Sequence, residues 1–121
     1  MASTCGGRVS RNLTALRRSA PVFAALGDET RLRLLAKLSS GGPLSITQLA
    51  AGEAVTRQAI TKHLAVLAAA GLVRDARTGR ERRWELDTAP LNTARSCLDL
   101  VAQRWDQRLE RLRALVEDDA P

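Results

Sequence analysis

The 121-residue chain has almost no aromatic side chains: no tyrosine, one phenylalanine (Phe23) and two tryptophans (Trp84, Trp105). Its core has to be built from Leu, Ala, Val and Ile, which favours packed helices over an aromatic-rich sheet. The same scarcity argues against single-stranded nucleic acid as a partner, because that recognition stacks bases on exposed rings. There is one histidine, His63, and two cysteines, Cys5 and Cys97. That is too little for a disulfide framework or a complete tetrahedral metal site, so no metal and no cofactor is expected. A reducing cytoplasm is the expected compartment. No apolar run approaches a membrane span, and no apolar signal-peptide region follows Met1. Nucleotide-binding glycine motifs, a nucleophile–base set and paired carboxylates are missing as well, so an enzyme is not expected.

What is present suits one soluble domain with a modest core, at 45% apolar and 26% charged residues. Net charge is +6, and 17 of the 19 basic residues are arginine. The distribution says more than the total. Between Ala54 and Leu86 there are seven basic residues against three acidic ones, a local field that attracts polyanions.

Residues 1–12 are small and polar and are expected to form a mobile arm, with a single domain over 13–118. The pattern predicts a helix over Leu13–Ser19, another from Pro21 to Leu26, and a third from Glu29 to about Ser39. Leu32, Leu35 and Leu38 are the expected inward residues of that third helix. Gly41-Gly42-Pro43 breaks the chain, and Leu44 is expected to add one short strand residue. Ser45-Ile46-Thr47-Gln48 has capping-box spacing and opens a short helix to about Ala51. After the Gly52–Val55 turn, Thr56 caps a helix whose Ile60, Leu64 and Leu67 share one side, opposite Gln58, Thr61, Lys62 and Ala65. Two helices joined by a short glycine-containing turn make a helix-turn-helix. Gly71 fits a left-handed helix stop. Leu72–Arg77 and Arg82–Asp87 are strand candidates around Thr78-Gly79-Arg80-Glu81, a basic hairpin. A last helix, from about residue 90 to 118, carries Leu91, Ala94, Leu98, Val101, Trp105, Leu109, Leu112 and Val116 at steps of three and four. Its seam of about 39 Å is too long for this domain to cover alone, so a second copy of the chain is the simplest partner.

The order helix, helix-turn-helix, basic hairpin and long terminal helix resembles the ArsR/SmtB family of bacterial winged-helix repressors. The similarity rests on Phe23-Ala24-Ala25-Leu26-Gly27-Asp28-Glu29-Thr30-Arg31 and on Thr61-Lys62-His63-Leu64-Ala65-Val66-Leu67-Ala68-Ala69-Ala70-Gly71-Leu72-Val73. It implies a mainly α winged helix-turn-helix with a small β-hairpin wing. It also implies a homodimer joined through the first and last helices, placing Leu13, Leu16, Leu98, Val101, Trp105, Leu109 and Leu112 at the interface. Metal-sensing relatives carry a Cys-x-Cys-type motif in the helix before the turn, where this chain has Ser45-Ile46-Thr47-Gln48-Leu49-Ala50 and no ligand at all.

The expected function is therefore sequence-specific binding of double-stranded DNA by a homodimeric transcriptional regulator, most simply a repressor on an inverted repeat. Thr56, Arg57, Gln58 and Thr61 are the candidates for base edges and the groove. Lys62, His63, Arg77, Arg80 and Arg82 are the candidates for phosphates. Two alternatives remain: a winged-helix module for protein–protein assembly, and a repressor that senses arsenite or oxidants through Cys5 and Cys97.

Overall fold

The computed structural model describes the backbone over residues 2–118 and the side chains from Leu13 to Glu117 except Thr78. Five helices and one hairpin follow in the order α1 (Ala2–Leu26), α2 (Glu29–Gly41), α3 (Ile46–Ala50), α4 (Arg57–Ala69), β1 (Val73–Thr78), β2 (Glu81–Leu86) and α5 (Ala89–Asp118). Among the described residues no helix is long and apolar enough to cross a membrane.

The N-terminal segment departs from the sequence expectation. Instead of an arm over 1–12 and two short helices, one helix runs from Ala2 through Pro21 to Leu26. No proline occurs before Pro21, and Gly6 and Gly7 weaken a helix by only about 1 kcal/mol each. Pro21 forfeits one backbone hydrogen bond. The buried Ser19, Val22 and Ala25 on either side of it keep the helix packed.

In α2 the buried residues are Leu34, Leu35 and Leu38, while Leu32 is half exposed. Leu35 and Leu38 are inward as expected, and Leu34 rather than Leu32 is the third buried residue. The other boundaries follow local chemistry. Asp28 caps α2 through the Arg31 N–H, and Ser45 and Gln48 close a complete capping box on α3. Leu44 forms an isolated antiparallel bridge with Trp84, two hydrogen bonds of 2.8 and 2.9 Å that attach the hairpin to the body.

Helix α4 ends in a two-bond Schellman stop. Gly71 N–H donates to the Ala68 carbonyl and Leu72 N–H to the Leu67 carbonyl, both at 2.9 Å. Gly71 has φ +78°, which turns the chain straight into β1. At the hairpin tip Thr78 pairs with Glu81, so only Gly79 and Arg80 form the loop. Gly79 at φ +65° takes its first position, as a type II′ turn requires. The loop is thus two residues rather than four.

The core lies where α1, α2, α4 and the base of the hairpin meet, and Ile60, Leu64, Leu67, Leu34, Leu49 and Leu72 are fully buried there. Ala94 and Cys97 dock the first half of α5 onto α1. Beyond Leu100 every described residue of α5 is exposed. Replacing Leu64 by Ala is expected to cost about 2–5 kcal/mol through lost burial and a cavity. Leu112→Ala should change the unfolding free energy of the monomer by less than about 0.5 kcal/mol. Urea titration under conditions where the chain is monomeric measures both.

Candidate nucleic-acid interface

The front of α4 is built by elimination. Ile60, Leu64 and Leu67 bury one side of the helix, and its exposed side carries Arg57, Gln58, Thr61, Lys62 and Ala65. The side chains of Arg57, Gln58 and Lys62 make no hydrogen bond or ion pair with any described residue. The two threonines are partly committed. Thr56 Oγ1 accepts the Ala59 N–H at 3.1 Å as the helix cap, and Thr61 Oγ1 donates to the Arg57 carbonyl at 3.0 Å. Thr61 therefore presents chiefly its methyl group and a lone pair, and Thr56 its hydroxyl proton.

His63 lies differently from the rest. Its Nδ1 is 3.3 Å from Arg31 Nη1 and 3.9 Å from Asp28 Oδ1, and the side chain is mostly buried between α4 and the start of α2. A guanidinium can only donate, so Nδ1 accepts and the ring proton sits on Nε2. Only that Nε2 edge is left to meet anything outside. Arg31 also donates through Nε to the Ala25 carbonyl at 2.6 Å and through Nη2 to the Ala24 carbonyl at 3.3 Å. One side chain thus closes the end of α1, adjoins the cap of α2 and holds α4. The Arg31 N–H on its carboxylate, with the Arg31 charge behind it, keeps Asp28 below the usual aspartate range.

A second cluster fixes the turn. Lys37 Nζ donates to the Leu49 carbonyl at 2.9 Å and the Ala51 carbonyl at 2.7 Å, capping α3, and meets Glu53 at 3.1 Å. Arg33 Nε reaches the same carboxylate at 3.0 Å. The Glu53 side chain is only 4% exposed. Lys37, followed by Arg33, lowers its pKa against the opposing effect of burial. The sequence reading missed Arg31, Arg33, Lys37 and Glu53. The available signal was weak: Lys37 is one of only two lysines in an arginine-rich chain. Three donors on a flexible stem suit convergent carbonyls better than a planar fork does.

The wing divides its arginines. Across the ladder Arg77 faces Arg82, a like-charge pair that costs energy unless one turns away. Arg82 does so, bonding Asp75 at 2.9 Å and lying 4.7 Å over the Trp84 ring. Arg74 is bound to Glu85 at 2.6 Å, which raises its pKa further, and Arg83 pairs with Glu81 at 3.0 Å. Arg77 and Arg80 remain exposed with no partner among the described residues. So of the three wing arginines expected at phosphates, two are available and Arg82 braces the hairpin.

Residues 26–76 match a family model described as a helix-turn-helix domain. The HTH-type transcriptional regulator Rv2034 of Mycobacterium tuberculosis is 34% identical over 97 residues, 80% of this chain and 87% of that protein. The chain belongs to the ArsR family of winged helix-turn-helix transcriptional regulators. Among solved structures, an ArsR-like transcriptional regulator from Rhodococcus sp. RHA1 superposes with a TM-score of 0.72 at 40% identity, covering 83% of this chain and 93% of that one. A homodimeric winged helix-turn-helix DNA-binding domain, Mb0332 from Mycobacterium bovis, gives 0.58 at 27% identity, covering 84% and 90%. In ArsR-family terms α3 and α4 are the helix-turn-helix, and β1 with β2 is the wing. This chain is a DNA-binding transcriptional regulator.

The thiols are placed unequally. Cys97 is buried with Sγ 3.5 Å from Ser19 Oγ, and the side chain of Cys5 lies outside the described residues. Among the described residues no three His, Cys, Asp or Glu side chains gather as metal ligands.

Because Glu53 has a lowered pKa in the folded chain, its contribution to stability is complete above the unfolded value near 4.5. It is lost as the pH falls from there through the folded value. Glu53→Gln should therefore lower Tm by a constant amount at pH 6–7, and that difference should shrink below about pH 4.5. Differential scanning calorimetry across pH 3–7 checks the sign.

Proposed function

We propose that two copies of the chain bind an inverted-repeat operator in double-stranded DNA and repress the adjoining gene, acting in the cytoplasm. The observation that carries this reading is the uncommitted trio Arg57, Gln58 and Lys62 on the outer face of α4, beside a wing with Arg77 and Arg80 free. Among the described residues Arg31, Arg33, Lys37, Arg74, Arg82 and Arg83 each have a side-chain partner, which leaves Arg57, Lys62, Arg77 and Arg80 as the unpaired cations of α4 and the wing. Gln58 suits adenine and Arg57 suits guanine in a major groove, and the Thr61 methyl suits the methyl of thymine. Lys62, Arg77, Arg80 and the Nε2–H of His63 are the phosphate contacts, with Arg80 at the wing tip within reach of a minor groove. Support for the dimer comes from the homodimeric Mb0332 domain and from the apolar surface left open: Leu13 and Leu16 on α1, with Leu98, Val101, Trp105, Leu109 and Leu112 on α5. A two-fold axis then sets the half-sites one helical turn, about 34 Å, apart.

Fluorescence anisotropy on the DNA upstream of the protein's own gene and on a random duplex, each through a salt series, tests the reading. Gln58→Ala is expected to lose about 1–3 kcal/mol on the operator and to relax base choice at one position. Lys62→Ala should weaken both duplexes alike and reduce the salt slope by about 1. Equal affinity of the parent protein for operator and random DNA would favour a protein-assembly module instead.

A further inference from the structure

We infer that the groove where α1, the end of α4 and the start of α5 meet binds a small apolar monocarboxylate, and that its occupancy lowers operator affinity; the second part rests on the operator binding proposed above. Two cavities lie side by side there and share Thr93. The larger, about 350 Å³, is lined by Arg18, Ser19 and Val22 of α1, Ala70 at the end of α4, and Pro90 and Thr93 of α5. The smaller, about 230 Å³, continues it past Ala15, Cys97 and Leu100. Small-molecule pockets span about 300–1,000 Å³ and are mostly apolar, with a few placed polar groups.

Here those polar groups sit at the floor and the mouth. Ser19 is only 1% exposed, and the one partner of its hydroxyl among the described residues is Cys97 Sγ at 3.5 Å. A thiol is a weak donor and a weak acceptor, so the hydroxyl keeps most of its hydrogen-bonding capacity in a buried wall. Native interiors seldom leave a polar group so poorly matched. Its neighbour Arg18 is exposed at the mouth and has no partner among the described residues. No acidic side chain lines either cavity. A carboxylate can accept from Arg18 and Ser19 together while an apolar body covers Val22, Ala70 and Pro90. One cation selects a monoanion, and a planar guanidinium matches a carboxylate.

The groove lies clear of the surface assigned to the second copy. Thr93 is twelve residues before Trp105, about 120° round α5, and Val22 is nine after Leu13, about 180° round α1. It does touch the helix that carries the exposed front. A β-carbon at Gly71 would meet Pro90 Cγ at 3.5 Å, so the end of α4 abuts the first turn of α5. Arg31 holds the middle of α4 through His63. An occupant pressing on Ala70 therefore tilts α4 about that point and moves Arg57, Gln58 and Lys62 out of register with the bases. The coupling is reciprocal: bound DNA must weaken the ligand by the same factor.

Octanoate and 3-phenylpropionate are the probes, compared with uncharged octanamide by titration calorimetry on the full-length protein. One acid per chain is expected, with a Kd at or below about 1 mM. Arg18→Gln should weaken both acids about 10-fold and leave octanamide unchanged. Amide NMR shifts on adding octanoate should centre on Ala70 and Thr93. Saturating octanoate should lower the operator affinity of the parent protein at least about 5-fold, and should not do so for Arg18→Gln. No binding of either acid at about 10 mM overturns the site. So does octanoate binding no tighter than octanamide, binding that Arg18→Gln leaves intact, or shifts centred on Leu109 of the apolar seam. Binding at Arg18 with operator affinity unchanged overturns the regulation and keeps the site. A parent protein with no preference for operator over random DNA overturns the reading above, while the calorimetry still decides the site.

Discussion

Arg31 holds the molecule's working parts in one frame. Its guanidinium ends α1 by taking the Ala24 and Ala25 carbonyls, and its Nη1 donates to His63 on α4. Its backbone N–H is meanwhile held by the Asp28 cap of α2. A helix end leaves carbonyls without partners, and a buried unpaired carbonyl is costly. Here the group that satisfies them also fixes the azimuth of the helix that carries the exposed front. Because α1 also packs on α5, Arg31 links α4 to both long helices.

The Lys37–Glu53 cluster does the corresponding work at the turn before α4. The turn between α3 and α4 has Gly52 at φ +78°. Lys37 caps α3 and, with Arg33, grips Glu53. The ion pairs on α2 thus anchor the turn directly to a buried helix. Two polar clusters, one in the turn before α4 and one at its middle, set its position, and the three apolar side chains Ile60, Leu64 and Leu67 supply the adhesion.

Much of this was legible in the sequence. The capping box at Ser45, the Thr56 cap, the Gly71 stop and the inward face of α4 all follow from local chemistry, and each is found where that chemistry puts it. The two segments on which the family resemblance rested are in contact with each other, since Arg31 belongs to one and His63 to the other. What was not legible depends on contacts far apart in the chain. Nothing local to Pro21 reveals that packing on both sides would carry a helix through it. The inward turn of Arg82 needs the register of the hairpin and the Trp84 ring before it can be seen. Lys37 and Glu53 are separated by a helix and a turn, so no short-range pattern links them.

The free side chains of α4 have a consequence for how such a protein can change. Thr56 and Thr61 are bonded to backbone, and Ile60, Leu64 and Leu67 are packed, whereas Arg57, Gln58 and Lys62 hold nothing in place. Mutation can visit those three positions with little effect on folding. A lineage carrying this scaffold can thus drift in what its surface recognises, one substitution at a time, through intermediates that all remain folded.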